Sequence, residues 1–367
     1  MVELTKTGKS IGIIRTSSIG DVVLATACLE MARSFDVRVN WFGREPTLSL
    51  IKAAYPKYNF FNLPDVVNLK QLKEYSLLKM DACVDLQGNI RSKSFTRRLA
   101  SESIPIFTAG KNRTARLKLV GKSYVRGRLL PLKPEDLQPP LRQYEAMLQA
   151  FAEALVALGF SRKEVVNAQL NSRPNLEALA KSDVSSAWSQ ELGFGRWIAL
   201  APGAAYQLKQ APREVWIELI NSIKMSVPNM GQDVGLVLVG GPGDRKISLD
   251  VVDSLSWSGP LLNLVGKLSL QETAFVLSKS KFLLTNDSGL LHISEAVGSP
   301  VIALFGPTSE GFGFAPWKSE SAVISGLLGC RPCSRHGDTI CRYGDKLCFE
   351  VVPQSTPREH IARLIKN

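Results

Sequence analysis

The stretch TNDSGLLHISEAVGSPVIALFGP, residues 285–307, decides the fold. Phe282 to Leu284, just before it, is an apolar run that reads as a buried strand. Asn286-Asp287-Ser288-Gly289 interrupts that strand, and Leu290 to Val297 has helical spacing. Gly298-Ser299-Pro300 stops the helix, and Val301 to Phe305 is a second apolar strand. Strand, polar loop, helix and strand in this order form one parallel α/β unit. The helix begins where the residues are smallest. Its unpaired backbone N–H groups and positive dipole end favour an anion such as phosphate. Taken alone, the segment also fits a simpler reading, in which Asp287 caps a helix, Gly289 makes a turn and His292 sits in the core.

Working outward, the same alternation recurs. Ile11 to Arg15 is a short strand, Thr16 to Gly20 a loop of small residues, and Asp21 to Ala32 a helix. Val37 to Phe42 and Ala82 to Leu86 read as further strands, and Gln143 to Leu158 as a long amphipathic helix. A second series starts at Trp197 to Ala201. It continues through a helix over 212–224, strands over 234–239 and 261–265, and a helix over 269–278. Two Rossmann-like α/β domains are expected. The first covers residues 1–165, a polar linker 166–195, the second 196–350, and a tail helix lies within 351–367. Ligands of such sheets bind beyond the carboxyl ends of the strands, so the strand-end loops are expected to face a shared cleft.

At 367 residues, with 45% hydrophobic and 21% charged residues, the chain has the composition of a two-domain globular protein. Its first residues carry no apolar core and no small-residue cleavage site of a secretory signal. No run approaches the ~20 apolar residues that span a bilayer. A cytoplasmic location is expected, with contact at a membrane surface as the alternative. The net charge is +12, and its placement matters more than its size. Between Leu86 and Pro134 stand twelve Lys and Arg, among them Arg91, Arg113, Arg116 and Lys118, against the single acid Glu102. Phe95, Phe107, Leu117, Leu119, Val120, Leu129 and Leu130 are interleaved with them. This block suits an anionic partner, such as phosphorylated lipid, nucleic acid or a charged glycan. It also fits a solvated surface.

Cys28 and Cys83 lie in apolar segments, as buried thiols do. Cys330, Cys333, Cys341 and Cys348 cluster. A CxxC pair with two later cysteines can close a tetrahedral metal site, with His336 as a substitute ligand. Free thiols in a tight loop or disulfides are the alternatives.

Six loops, in order, are RTSSIGDVVLA (15–25), DLQGNIRS (85–92), APGAAYQLKQAP (201–212), VGGPGD (239–244), GKLSLQE (266–272) and TNDSGLLH (285–292). Together they resemble glycosyltransferase family 9, the ADP-heptose:lipopolysaccharide heptosyltransferases. The resemblance runs from about Ile11 to about Trp317. It implies the GT-B fold, two Rossmann-like domains facing a central cleft. It also implies inverting transfer of heptose from ADP-heptose to an anionic lipopolysaccharide core or lipid A acceptor, without a catalytic metal. The donor belongs mainly to the C-terminal domain and the acceptor to the N-terminal one.

By the same resemblance, Asp21 is the expected general base, and Lys209 the lysine on the donor phosphates. The donor side comprises Ala204, Ala205, Lys209, Asp244, Leu268, Asp287, Ser288, Gly289, Leu290 and His292. Ala204 and Ala205 stand where relatives often carry hydroxyl residues, which leaves only their backbone N–H groups for phosphate. Ser18, Gly20, Gln87, Arg91, Arg113, Arg116 and Lys118 are the expected acceptor side. The cysteine cluster resembles one in heptosyltransferases that modify autotransporter proteins, where iron has a structural role. Structural zinc or iron at Cys330, Cys333, Cys341 and Cys348 is therefore expected to be separate from the chemistry. A protein acceptor, or another nucleotide sugar, is the alternative within this fold. A non-enzymatic nucleic-acid binder is a third reading, but no nucleic-acid module is present and the cysteine spacing excludes a C₂H₂ finger. The partners expected are thus ADP-heptose, the lipopolysaccharide acceptor and the inner-membrane surface.

Overall fold

The computed structural model describes residues 8–64, 69–100, 103–110, 113–128, 130–139, 142–181, 192, 196–226, 234–350 and 355–366. Lys111, Leu129, Glu102 and residues 182–191 and 193–195 of the expected linker lie outside the described residues. The chain divides into two compact units. One is Met1–Lys111 with Gln143–Leu176, and the other is Asn112–Arg142 with Glu177–Asn367.

The first unit carries β1 (Lys9–Ile14), α1 (Ile19–Ala32), β2 (Val37–Gly43), α2 (Thr47–Ala54), β3 (Asn59–Asn62), α3 (Leu69–Ser76), β4 (Ala82–Asp85), α4 (Ile90–Leu99) and β5 (Ile106–Thr108). Its five strands are all parallel, in the order β3-β2-β1-β4-β5. Ile11, Ile13 and Ile14 of β1 are buried, as are Ala82, Cys83 and Val84 of β4. Central strands covered on both faces read as continuous apolar runs, which is why these were visible in the sequence.

The chain next enters the second unit with α5 (Arg113–Arg126) and returns to the first with α6 (Gln143–Ala157) and α7 (Arg162–Asn171). Helix α6 packs on α1 and buries Met147, Phe151 and Leu155. Helix α7 falls inside the segment read as the end of the first domain and the start of a linker. Only Val165 and Ala168 are buried along it, too few to produce an apolar stripe.

The second unit continues with β6 (Arg196–Ala201), α8 (Arg213–Met225), β7 (Val234–Leu238), α9 (Arg245–Val252), β8 (Leu261–Asn263), α10 (Leu270–Ser278), β9 (Ser280–Asn286), α11 (Gly289–Ala296), β10 (Val301–Leu304), β11 (Ala322–Ile324) and α12 (Ser355–Lys366). Its six strands are parallel, ordered β11-β10-β9-β6-β7-β8. Trp216 and Phe282 anchor its core, and Ile361, Leu364 and Ile365 of α12 complete it.

Both sheets have the doubly wound order, in which the direction of winding reverses beside the first strand of the unit. The reversal lies between β1 and β4 in the first sheet and between β6 and β9 in the second. Ile14 is level with Asp85, and Ala201 with Thr285. Each pair of strands therefore ends together and opens a crevice lined by the two following loops.

Candidate active site

In the first unit the crevice lies between the loop after β1 and the loop after β4. Ser18 caps α1, and Asp21 occupies the third helical position. The Ser18 hydroxyl donates to Asp21 Oδ2 at 2.9 Å. The Arg15 guanidinium pairs with the same oxygen at 2.6 Å and also donates to the Leu86 carbonyl. Arg15 is buried, while the Asp21 side chain keeps 19% exposure. A buried arginine tied to both loops thus orients a carboxylate that still reaches solvent. Gln87 Oε1 accepts from the backbone N–H of Thr16 at 3.1 Å and of Ser17 at 3.3 Å. Behind it, the buried Asp85 accepts from Gly88 N at 2.8 Å and from the Ser92 hydroxyl at 2.8 Å. Asn89 then caps α4 by accepting from Ser92 N. Ser18 and Arg91 are exposed beside this network, and Gly20 is buried in the first turn of α1. Gln87 is buried and holds the loop from behind.

In the second unit three loops meet at the crevice between β6 and β9. The buried Asn286 joins two of them: its Nδ2 donates to Pro202 O at 2.7 Å, and its Oδ1 accepts from Ala211 N at 3.1 Å. Asp244 brings in the third. Its Oδ2 accepts from Gly241 N at 2.8 Å, and its carboxyl lies over Gly203. A Cβ on Gly203 would stand 2.1 Å from Asp244 Cγ, so only glycine lets the two loops close to this distance. Gly266 N donates to Gly240 O at 2.9 Å, which sets the loop bearing the half-buried Leu268 beside that of Asp244. Ala204 is half-buried and Ala205 exposed, and the Ala204 carbonyl accepts from Gln210 Nε2.

Lys209 Nζ pairs with Asp287 Oδ2 at 2.7 Å, and both side chains are largely enclosed, at 16% and 12% exposure. The Thr308 hydroxyl donates to the same Asp287 oxygen at 2.7 Å. Burial works to raise the Asp287 carboxyl, but the Lys209 charge and the hydrogen bonds from Lys209 and Thr308 outweigh it and hold the group below the ordinary carboxylate range. Ser288 caps α11, and its hydroxyl lies 3.1 Å from that of Thr285. Ser288, Gly289 and Leu290 are half-buried at this helix start. His292 is not at the loop surface. It is 3% exposed and stacks on Trp317, ring planes 7° apart. Arg15, Asn286 and Thr308 escaped the sequence reading. Arg15 and Asn286 stand inside quoted motifs and Thr308 just beyond one, but the partners that give each its place are distant in the chain.

The basic block is divided between the units. Arg91, Lys93, Arg97 and Arg98 lie on α4 of the first, whereas Arg113, Arg116, Lys118 and Lys122 lie on α5 of the second. Helix α5 has no acidic residue and docks on the cysteine-rich segment. The Ser123 hydroxyl donates to Pro332 O at 2.8 Å, Arg126 donates to the carbonyls of Gly329 and Arg331, and Arg342 lies 3.9 Å over the Tyr124 ring. Arg116 stacks 4.9 Å over Phe314. Outward, α5 exposes Leu117, Tyr124 and Val125 together with Arg113, Lys118 and Lys122.

The metal expectation for Cys330, Cys333, Cys341 and Cys348 does not fit this geometry. Among the described residues, no three His, Cys, Asp or Glu side chains gather as a metal-holding group. Cys348 packs into the second unit's hydrophobic core beside Phe349, and the Cys333 thiol donates to Cys330 O at 3.5 Å. Burial pushes the Cys348 thiol up to about 12 and also raises that of Cys333. No metal step is derived from them.

Two doubly wound parallel α/β domains, each with its polar loops at the switch point, define the GT-B class. The family model for glycosyltransferase family 9 (heptosyltransferase) matches residues 70–343, and the chain belongs to that family. It is 27% identical over 197 residues to lipopolysaccharide heptosyltransferase 2 of Salmonella typhimurium, a match that spans about half of each protein, 52% of both. Its fold is similar to that of the Escherichia coli ADP-heptose LPS heptosyltransferase II, with a TM-score of 0.64, 18% identity and coverage of 97% and 98% of the two chains. It is also similar to the iron-containing dodecameric glycosyltransferase TibC of enterotoxigenic Escherichia coli. There the TM-score is 0.53 and the identity 14%, over 98% of this chain and 79% of that one.

Proposed function

We propose that this protein transfers a heptose from ADP-heptose, with inversion, to a hydroxyl of an anionic lipopolysaccharide core or lipid A acceptor. The observation that carries this reading is the enclosed Lys209–Asp287 pair at the switch point of the second sheet, within a chain of the heptosyltransferase family. Lys209 and the N–H groups at the start of α11 supply positive charge for the donor diphosphate. Asp244 and Leu268 border the nucleoside. In the first unit, Asp21 accepts the proton of the acceptor hydroxyl as its oxygen attacks the anomeric carbon. The bond from that carbon to the diphosphate oxygen breaks, and its electron pair leaves with ADP. The proton remains on the Asp21 carboxyl until solvent removes it. The test is incubation with ADP-heptose and heptose-deficient lipopolysaccharide, followed by mass spectrometry. Addition of one heptose is expected, and an unmodified acceptor alongside intact donor would refute the reading.

Gly203→Ala probes the donor side without touching a polar group. The added methyl must displace Asp244, so ADP affinity is expected to fall by about tenfold, the scale of one lost charge-assisted contact. Unchanged affinity in a calorimetric titration would remove Asp244 from the donor site.

For the acceptor, Ser18, Gln87 and Arg91 border or brace the Asp21 loop of the first unit, and Arg113 and Lys118 expose positive charge on α5 of the second. Reversal of Arg113 and Lys118 to Glu is expected to raise the acceptor KM severalfold and leave ADP affinity alone. Arg116 is left out of that test because it is half-buried and stacks over Phe314. Added salt should weaken acceptor use more than donor binding, since exposed charges are screened over ~8–10 Å. An acceptor KM indifferent to both changes would reduce α5 to a solvated surface.

No helix of the described residues is long and apolar enough to cross a membrane. The exposed Leu117, Tyr124 and Val125, flanked by cations, favour peripheral contact with the cytoplasmic face of the inner membrane, where such an acceptor would lie. A protein acceptor is the second reading, favoured by the resemblance of the cysteine-rich segment to that of heptosyltransferases that modify autotransporter proteins. Heptose found on a protein and not on lipopolysaccharide would select it.

A further inference from the structure

The segment between Cys330 and Cys348 packs against the loops that carry the Lys209–Asp287 pair. Gly337, at a φ of +74°, is buried against the stem of Lys209, where a Cβ would lie 2.7 Å from Lys209 Cγ. Lys346 Nζ donates to the carbonyls of Gln207 at 3.0 Å and Gln210 at 3.1 Å, one on each side of Lys209. Arg331 is fully buried and donates through Nη2 to Thr308 O at 2.9 Å and through Nη1 to Gly326 O at 2.6 Å. Thr308 is the residue whose hydroxyl binds Asp287. The segment thus braces both members of the pair, the lysine through Gly337 and Lys346 and the aspartate through Arg331 and Thr308.

Just before Gly337 the chain exposes Arg335 and His336. The Ser334 hydroxyl accepts from Gly337 N at 2.8 Å and from Asp338 N at 3.3 Å, which holds the two side chains at the head of a tight turn. Because Gly337 packs on the stem of Lys209, the two residues just before it, Arg335 and His336, stand next to the loop of that lysine. A paired lysine is a weak counter-charge by itself, because Asp287 already takes up much of its field. A diphosphate that leaves with extra negative charge is stabilised by each further donor aimed at it.

We infer that Arg335 and His336 belong to the donor-diphosphate subsite, Arg335 as a second cation beside Lys209 and His336 as a hydrogen-bond donor. Lys346 is a positioning residue that fixes the Lys209 loop. The inference rests on the reading of Lys209 as the donor-phosphate lysine.

The test compares ADP and adenosine binding by calorimetry in the full-length protein. Arg335→Ala/His336→Ala is expected to weaken ADP by about tenfold or more and adenosine by less than twofold, since only the phosphates are touched. Arg335→Gln/His336→Asn keeps the turn polar and should give the same pattern if the alanine pair folds poorly. Lys346→Met should weaken ADP severalfold, and Lys346→Arg should restore it. Equal losses for ADP and adenosine would overturn the inference, because they would report a distorted domain. Wild-type ADP affinity in the Arg335/His336 variants, with a loss in Lys209→Ala, would overturn it alone. Wild-type affinity in Lys209→Ala as well would instead overturn the donor site proposed above.

Discussion

Asp21→Asn is expected to lower turnover by about a hundredfold or more while ADP affinity stays at the wild-type value. The amide keeps the shape of the side chain, and its oxygen can still accept from Ser18 and Arg15. What it cannot do is take a proton at the moment the acceptor oxygen attacks. General-base catalysis contributes roughly 10²–10⁴ in rate, which sets the size of the loss. The geometry also predicts a contrast at Arg15. Its guanidinium lies 2.6 Å from Asp21 and holds the Leu86 carbonyl of the neighbouring loop. Arg15→Met should therefore lower both kcat and stability, whereas Asp21→Asn lowers kcat with little change in melting temperature. The check is a steady-state assay with both substrates, paired with an ADP titration and a thermal melt. Near-normal turnover in Asp21→Asn would remove this carboxylate from the mechanism.

Lys209→Ala should have the second-largest effect, and it should be felt in binding as well as in rate. Lys209 neutralises Asp287, and on the proposed reading it also offers positive charge to the diphosphate. Without it, a largely enclosed carboxylate faces an incoming polyanion. Leaving one member of a buried pair unmatched costs about 3–5 kcal/mol in comparable settings, and part of that should appear as lost stability. ADP affinity should fall well over tenfold, and turnover with it.

The pH dependence of this variant has a definite sign. Asp287 is held below the ordinary carboxylate range in the folded protein. Its pair with Lys209 therefore stabilises the fold above the unfolded carboxyl value, near pH 4, and that stability is lost as pH falls through the depressed folded value. The melting-temperature gap between wild type and Lys209→Ala should be wide at pH 7 and narrow toward pH 3. A gap that is constant with pH would mean the pair contributes no electrostatic stability. Asp287→Asn/Lys209→Met, which removes both charges, should recover stability without recovering ADP binding. Recovery of binding in that double variant would show that the lysine serves only to neutralise its partner.

Much of the molecule was legible without coordinates. The strands Lys9–Ile14, Ala82–Asp85, Arg196–Ala201, Val234–Leu238 and Ser280–Asn286 each hold an apolar run because parallel strands are covered on both faces. Their alternation with amphipathic helices admits little besides parallel sheets. Turn chemistry marked the loops, since small and polar residues at strand ends are a local property. These features depend on neighbours a few residues away, so the linear order of residues carries them.

Tertiary structure decided the rest, because each remaining feature joins residues far apart in the chain. That Asn112–Arg142 belongs to the second unit follows from Ser123 and Arg126 reaching the carbonyls of residues 329–332, some two hundred positions on. No local pattern encodes such a partner, and the sequence reading had placed the segment inside the first domain, residues 1–165. The CxxC spacing pointed to a structural metal, with free thiols or disulfides as alternatives, and no metal-holding group forms among the described residues. The outcome turned on Cys348 entering the hydrophobic core and on Gly337 and Lys346 seating the loop against Lys209. His292 is part of the resembling motif, yet the stacking partner that buries it is Trp317, in a loop beyond the next strand. Sequence alone determined which elements form and where their loops fall, through periodicity and turn preference. Which loops meet, which charges pair and which side chains are buried were decided by packing between segments that the chain keeps far apart.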